Sequence, residues 1–243
     1  MNAMPMSSRT SFATLRRAAC ALAAGALTLS AHALDADAVL ARVSNSVWLI
    51  KTLDPQGEPL AYGSAVVIGA GRVATNCHVL RQAAAVTLHQ SDKALPARLA
   101  FADPERDLCL LDAPGLVAPA AETTPTHNLA VGQKVFAVGW PGGQERRLTP
   151  GIVLGVQRRL DGAAEYIRTS APAAEGSSGG GLFNEEGQLI GITSAALRNA
   201  TFSILFARPA DWLDQVPRRG AAALAAYRQQ HPTASAAPAT GQR

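Results

Sequence analysis

Ser64-Ala65-Val66-Val67-Ile68 and, after Gly69-Ala70-Gly71, Arg72-Val73-Ala74-Thr75 are two short, largely apolar runs broken by glycine. Val and Ile are stiff at χ1 and pack well on a pleated surface, whereas glycine between such runs marks a turn. The same rhythm extends in both directions. Val47 to Thr52, Ala85 to Leu88, Ala97 to Phe101 and Leu108 to Leu111 read as further strands. Ala113 to Asn128 contains Pro114, Pro119 and Pro125 and reads as a connector. Beyond it, Lys134 to Val138, Gly151 to Gln157, Glu165 to Thr169, Leu189 to Ser194 and Phe202 to Ala207 form a second set. No helical period of any length interrupts this region. Many short strands punctuated by Gly, Pro and Asp predict an all-β domain over residues 34–207, a sandwich or barrel protein in two halves, 47–113 and 129–207.

The ends read differently. Arg9, Arg16 and Arg17 precede an apolar run, Ala18 to Leu29, and Ala31-His32-Ala33 then supplies a small-x-small pattern. This is the layout of a signal peptide over residues 1–33, cleaved after Ala33, and the run is short for a membrane span. A soluble, exported protein with no stable membrane anchor is expected. Asp35 to Val47 predicts a short helix, with Asp35 as N-cap and Val39, Leu40, Val43 and Val47 on one stripe. In the segment 208–243, Trp212-Leu213 and Ala221 to Tyr227 predict terminal helix, and the last dozen residues read as disordered. About 210 residues remain after cleavage, enough to bury about 70% of the unfolded chain's surface in one unit. Three of the 22 Lys and Arg lie in the leader, so the rest nearly balance the 18 Asp and Glu. Composition therefore makes no case for nucleic-acid binding. The arginine pairs Arg146-Arg147 and Arg158-Arg159 read as a solvated basic face flanking one hairpin.

Glu175-Gly176-Ser177-Ser178-Gly179-Gly180-Gly181 sets serines among glycines. Acyl transfer by a serine needs a general base for its proton, a carboxylate to fix the base's tautomer, and donors aimed at the oxyanion. A glycine-rich turn can converge two backbone N–H groups on one point. Ser178 is the candidate nucleophile, with the N–H groups of Gly176 and Ser178 as oxyanion donors. By itself such a loop reads first as a flexible surface turn. His78, just past an apolar strand in Thr75-Asn76-Cys77-His78-Val79-Leu80, is the candidate base, and Asp107, in Asp107-Leu108-Cys109-Leu110-Leu111, the candidate acid. In the order His, Asp, Ser they match a triad whose base and acid come from the first half and whose nucleophile comes from the second.

These segments, with Gly63 to Ile68, Val138-Gly139-Trp140-Pro141-Gly142-Gly143, Thr149-Pro150-Gly151-Ile152-Val153, Thr169 through Leu182 and Gly187 to Ile192, resemble in order the chymotrypsin-fold (trypsin-like) serine proteases. The resemblance is greatest to their HtrA (Deg) branch and covers about Val47 to Ala207. It implies two antiparallel six-stranded β-barrels with short N- and C-terminal helices, an active site between the barrels, and peptide-bond hydrolysis through an acyl-enzyme. It also implies a polypeptide substrate and no cofactor or metal. Ser177 and Gly181 stand where the family has asparagine and proline, and the third glycine predicts a looser oxyanion loop. Glu175 replaces a family proline beside the oxyanion donors. By the family's pattern Pro172 lies near the floor of the substrate pocket and Ser194 on its wall, which predicts an uncharged, small or medium apolar residue before the scissile bond. The chain after the last strand is too short for the branch's PDZ domain, so a monomer is the default expectation. Cys77 and Cys109 flank the candidate base and acid, and joining His78 to Asp107 brings the sulfurs together as a disulfide, as free thiols, or as zinc ligands with His78. Beside an active periplasmic or secreted endopeptidase stand two other functions: a protease-fold binding protein, and an esterase using the same triad.

Overall fold

The computed structural model describes residues 34–172, 174–198 and 203–220, with Ala225 and Gln229 beyond them. The leader, most of Ala221 to Tyr227 and the C-terminal tail fall outside the described residues. Six strands, β1 (Val47–Leu53), β2 (Pro59–Gly69), β3 (Arg72–Thr75), β4 (Ala85–Gln90), β5 (Lys93–Asp103) and β6 (Leu108–Asp112), close a barrel in the order β1-β2-β3-β6-β5-β4. Six more, β7 (Lys134–Gly139), β8 (Arg147–Arg158), β9 (Ala164–Thr169), β10 (Gly181–Phe183), β11 (Leu189–Arg198) and β12 (Ser203–Pro209), close a second in the matching order β7-β8-β9-β12-β11-β10. All twelve pairings are antiparallel.

Eleven of these strands are legible as apolar runs. The twelfth, β10, closes the second barrel and lies in the segment that reads as glycine-rich loop. Gly181 pairs with Val138 on one side and Ile192 on the other, and a Cβ there would fall 2.3 Å from the Phe183 ring. The third glycine therefore leaves room for an aromatic ring in a doubly paired strand, and the looseness expected of it is not found at this position. The arginine pairs bound the single long strand β8 rather than a hairpin, and Arg146 lies half-buried over the Trp140 ring at 5.6 Å.

Both faces of the central strands are buried. Side chains alternate across a strand, so Ala65, Val67, Cys109 and Leu111 fill the first barrel while Val66, Leu108 and Leu110 point out of it. In the second barrel Val135, Ala137, Leu182 and Ile190 face inward. Phe136, Val138, Phe183, Leu189 and Ile192 meet Val66, Leu108 and Leu110 in a third core between the barrels. This inter-barrel core fixes one barrel against the other. It is extended by α1 (Ala36–Val43), whose Val39 and Val43 are buried in it, and by Trp212, Leu213 and Val216. The Asp35 carboxylate caps α1 by accepting from the Ala38 N–H at 2.8 Å, as expected, but the helix ends at Val43. Ser44–Ser46 form a 3-10 turn and Val47 already belongs to β1. At the other end Ala210–Gln215 is 3-10, continued by helix over residues 216–220.

Cys77 and Cys109 form a disulfide with Cα atoms 5.0 Å apart, which leaves neither sulfur as a thiolate ligand and removes the zinc alternative. The bond spans a sequence separation of 32 and constrains the unfolded chain by about 3–4 kcal/mol. A Cys77→Ala/Cys109→Ala chain is expected to melt about 10 °C lower than the oxidised protein. Equal melting temperatures in a calorimetric scan would contradict this.

Candidate active site

His78 sits in the 3-10 turn Cys77–Leu80 that follows β3, and Asp107 immediately precedes β6. Because β3 and β6 are ladder neighbours, with Thr75 opposite Cys109, the two residues emerge side by side at the same edge of the first barrel. The His78 Nδ1 lies 2.8 Å from the Asp107 Oδ2, and the His78 backbone N–H donates to Oδ1 at 3.0 Å. Asn76 donates its side-chain amide to the Asp107 carbonyl at 2.9 Å. The carboxylate thus grips both the ring and the main chain of His78. Asp107 holds φ at +55°, a left-handed conformation that Asp tolerates better than most residues and that recurs at functional sites.

Ser194 completes this array from the second barrel. The register of β11 against β12 slips between Thr193 and Ala195, leaving Ser194 as the extra residue of a bulge. Its hydroxyl donates to Asp107 Oδ2 at 2.7 Å. Burial alone pushes the Asp107 carboxyl up. This is outweighed by the His78 ring, through its hydrogen bond and its charge, and by the donors Ser194 Oγ and His78 N–H, so the acid is held below the ordinary carboxylate range.

Ser178 approaches from the loop between β9 and β10, so the structure brings it to the same crevice from the other barrel. Its hydroxyl donates to the Ser194 carbonyl at 3.0 Å, and no hydrogen bond joins it to His78. The loop is shaped by glycines for steric reasons. Gly176 and Gly179 hold φ near +88° and +86°. A Cβ on Gly176 would fall 2.5 Å from the Trp140 carbonyl oxygen and 2.7 Å from the Tyr62 ring, and one on Gly179 would strike the Ser64 carbonyl. Neither site tolerates a side chain. Among the described residues neither the Gly176 nor the Ser178 N–H has a hydrogen-bond acceptor, which leaves both donors free for a ligand oxygen.

Beside Ser178 opens a cavity of about 210 Å³ walled by Ser194, Ala195, Ala196 and Leu205, with Glu175 exposed at its lining. Pro172 is not part of it. Pro172 lines a neighbouring, smaller cavity of about 130 Å³ with Val138, Pro141, Arg147 and Thr149. Ala174, Ser177, Thr193 and Leu205 stand between the two. Ser194 lines the cavity beside Ser178, and its hydrogen bond to Asp107 is a contact the sequence reading missed. A lone Ser at the end of an apolar strand carries no signal of that contact.

The chain is similar to known proteins. Residues 63–192 match the family model described as trypsin-like peptidase domain. The chain is 35% identical over 164 residues to a probable periplasmic serine endoprotease, DegP-like, of Pseudomonas fluorescens. That match covers 65% of this chain and 34% of the relative. It is 34% identical over 185 residues to the chloroplastic Protease Do-like 1 of Arabidopsis thaliana, covering 70% and 42% respectively. The chain thus spans well under half the length of these curated relatives. Among solved structures, the HtrA-type protease AlgW with tripeptide superimposes with a TM-score of 0.66 at 29% identity, over 74% of this chain and 61% of that one. Two closed barrels of matching topology, a His–Asp pair on one and a serine in a glycine-rich loop on the other place the chain in the family of trypsin-like peptidase domains, on the side of its DegP-like, HtrA-type members.

Proposed function

We propose that this protein is a serine endopeptidase that cleaves polypeptides through a Ser178-His78-Asp107 triad, working in the periplasm or outside the cell. The observation that carries the proposal is the hydrogen-bonded array Ser194–Asp107–His78, set across the crevice from a serine whose loop presents two free N–H groups. In the reaction the Ser178 hydroxyl turns about χ1 from the Ser194 carbonyl toward His78 Nε2, since catalytic hydrogen bonds often form fully only with substrate bound. His78 takes the serine proton as Oγ attacks the scissile carbonyl. The Gly176 and Ser178 N–H groups receive the negative charge that develops on oxygen. His78 then gives its proton to the leaving amine, and a water deacylates the enzyme by the same steps in reverse. Asp107 stays ionised throughout, holding the proton on Nδ1 so that Nε2 is the basic nitrogen.

Among the described residues the cavity beside Ser178 carries no charged group deep in its wall, and Glu175 lies at an exposed position. It suits an uncharged side chain of small or medium size, because an unpaired ammonium or guanidinium buried there loses hydration without compensation. The triad itself calls for no cofactor or metal. Export is supported by the leader-like residues 1–33 and by a disulfide, a bond that persists in oxidising compartments. The Ser178–Ser194 hydrogen bond supports a resting state in which the nucleophile is disengaged until substrate enters, a latent form of the same enzyme.

A denatured protein and a peptide series differing only in the residue before the scissile bond test the proposal. The native chain is expected to cleave the denatured protein and to favour Ala, Val or Leu over Lys or Arg by tenfold or more in kcat/KM. Cleavage confined to Lys and Arg peptides would overturn the pocket assignment. Hydrolysis of esters with no cleavage of any polypeptide would make the protein an esterase, and neither activity would make it a binding protein.

A further inference from the structure

Four consecutive carbonyls run through the loop that carries the oxyanion donors, and all four are occupied. The Glu175 carbonyl accepts from the Gly142 N–H at 2.8 Å. The Gly176 carbonyl accepts from the Ser64 hydroxyl at 2.7 Å. The Ser177 carbonyl accepts from the Thr193 hydroxyl at 2.6 Å and the Gly180 N–H at 3.0 Å, and the Ser178 carbonyl accepts from the Ser64 N–H at 2.8 Å. A trans peptide is planar, so its N–H points opposite its C=O. Holding the Glu175 carbonyl therefore aims the Gly176 N–H, and holding the Ser177 carbonyl aims the Ser178 N–H.

One rotation would still be open. A glycine between two peptide planes turns easily about φ and ψ, and a turn at Gly176 would swing its donor away. Ser64 closes that route by tying the carbonyl on the far side of Gly176, and its backbone N–H does the same on the far side of Ser178. Ser64 is itself anchored. It is fully buried, its hydroxyl accepts from the Trp140 N–H at 2.8 Å, and its carbonyl accepts from the Thr75 hydroxyl at 2.8 Å. A single residue of the first barrel thus joins the nucleophile loop to the Trp140 turn of the second.

We propose that Ser64 is a positioning residue for catalysis, whose hydroxyl and amide keep the Gly176 and Ser178 N–H groups convergent on the oxyanion. The inference rests on the assignment of Ser178 and its two donors made above. Alanine at this position leaves the buried Gly176 carbonyl and the part-buried Trp140 N–H without these partners, and the Gly176 peptide is free to turn toward another donor. Complete loss of one oxyanion donor costs on the order of 10²–10³ in rate, and loosening one costs a part of that.

The test measures how fast a fluorophosphonate probe modifies Ser178 in the native chain and in Ser64→Ala, over a range of probe concentrations and pH. The expected result is a fall of about tenfold or more in the maximal rate, with the half-saturating probe concentration and the pH midpoint unchanged. A merely structural role would lower the melting temperature without producing that split. Ser64→Cys, which keeps the shape but donates weakly, is expected to fall between the two, and it carries the test if the alanine variant does not fold. Equal maximal rates, or a change confined to half-saturation, would overturn the role of Ser64 while leaving the triad intact. No labelling of the wild-type chain would overturn the assignment of Ser178, and the role of Ser64 with it.

Discussion

The Ser178→Ala chain is expected to keep the wild-type fold and melting temperature and to lose about 10⁶-fold in kcat on peptide substrates. Both halves of this expectation come from the surroundings of the side chain. The hydroxyl makes one hydrogen bond, to the Ser194 carbonyl, and it is half-buried at a crevice, so its loss changes stability by about 1 kcal/mol at most. Catalysis loses its covalent route entirely. What remains is the free oxyanion donors and the binding cavity, which act on a water with nothing to deliver it. Parallel kinetics and thermal melts check both halves. A variant that keeps a tenth of the activity would mean that another group is the nucleophile.

Asp107→Asn is expected to lower kcat by about 10⁴ without unfolding the chain. Asparagine is at home in the left-handed conformation that Asp107 adopts, so the backbone accepts the change. The fault lies in the hydrogen bonding. In the native array one carboxylate oxygen accepts from the His78 N–H and the other faces His78 Nδ1 and the Ser194 hydroxyl. An amide has one acceptor oxygen. If that oxygen stays on the main-chain N–H, the amide nitrogen donates to Nδ1, puts the ring proton on Nε2 and blocks the base. The same residue sets a pH effect. Its carboxyl is held below the ordinary carboxylate range, so the stability it contributes is present above the unfolded value and is lost as pH falls through the lower, folded one. Stability curves of the wild-type chain are therefore expected to fall more steeply below about pH 4 than those of Asp107→Asn. Identical curves would contradict the charge assignment.

The barrels were largely readable because their strands are buried on both faces. Runs such as Ala65-Val66-Val67 and Leu108-Cys109-Leu110-Leu111 carry apolar residues on consecutive positions, since one face fills a barrel and the other the core between barrels. That pattern reveals a strand but not its neighbours, and the residues alone left sandwich and barrel open until the family resemblance chose. Strand β10 escaped because three residues, one of them glycine, are too few to show a period. At the site, residue type and order single out His78, Asp107 and Ser178 as candidates, and the structure brings them close together. Pro172 was placed by analogy and lies on the neighbouring cavity, because the path of the chain between Thr169 and Ser178 depends on packing that no local pattern encodes. Ser64 reads as an ordinary strand residue. Its contacts with the nucleophile loop, at Gly176 and Ser178, lie more than a hundred residues away, and only the closed fold reveals them.

A working nucleophile, base and oxyanion hole in one crevice is put to the test by treating the chain from residue 34 onward with a fluorophosphonate probe and locating the adduct by mass spectrometry. The expected result is one label per chain, on Ser178, absent from the Ser178→Ala variant and from denatured protein. Native protein that takes no label, or takes it on another residue, would contradict the triad.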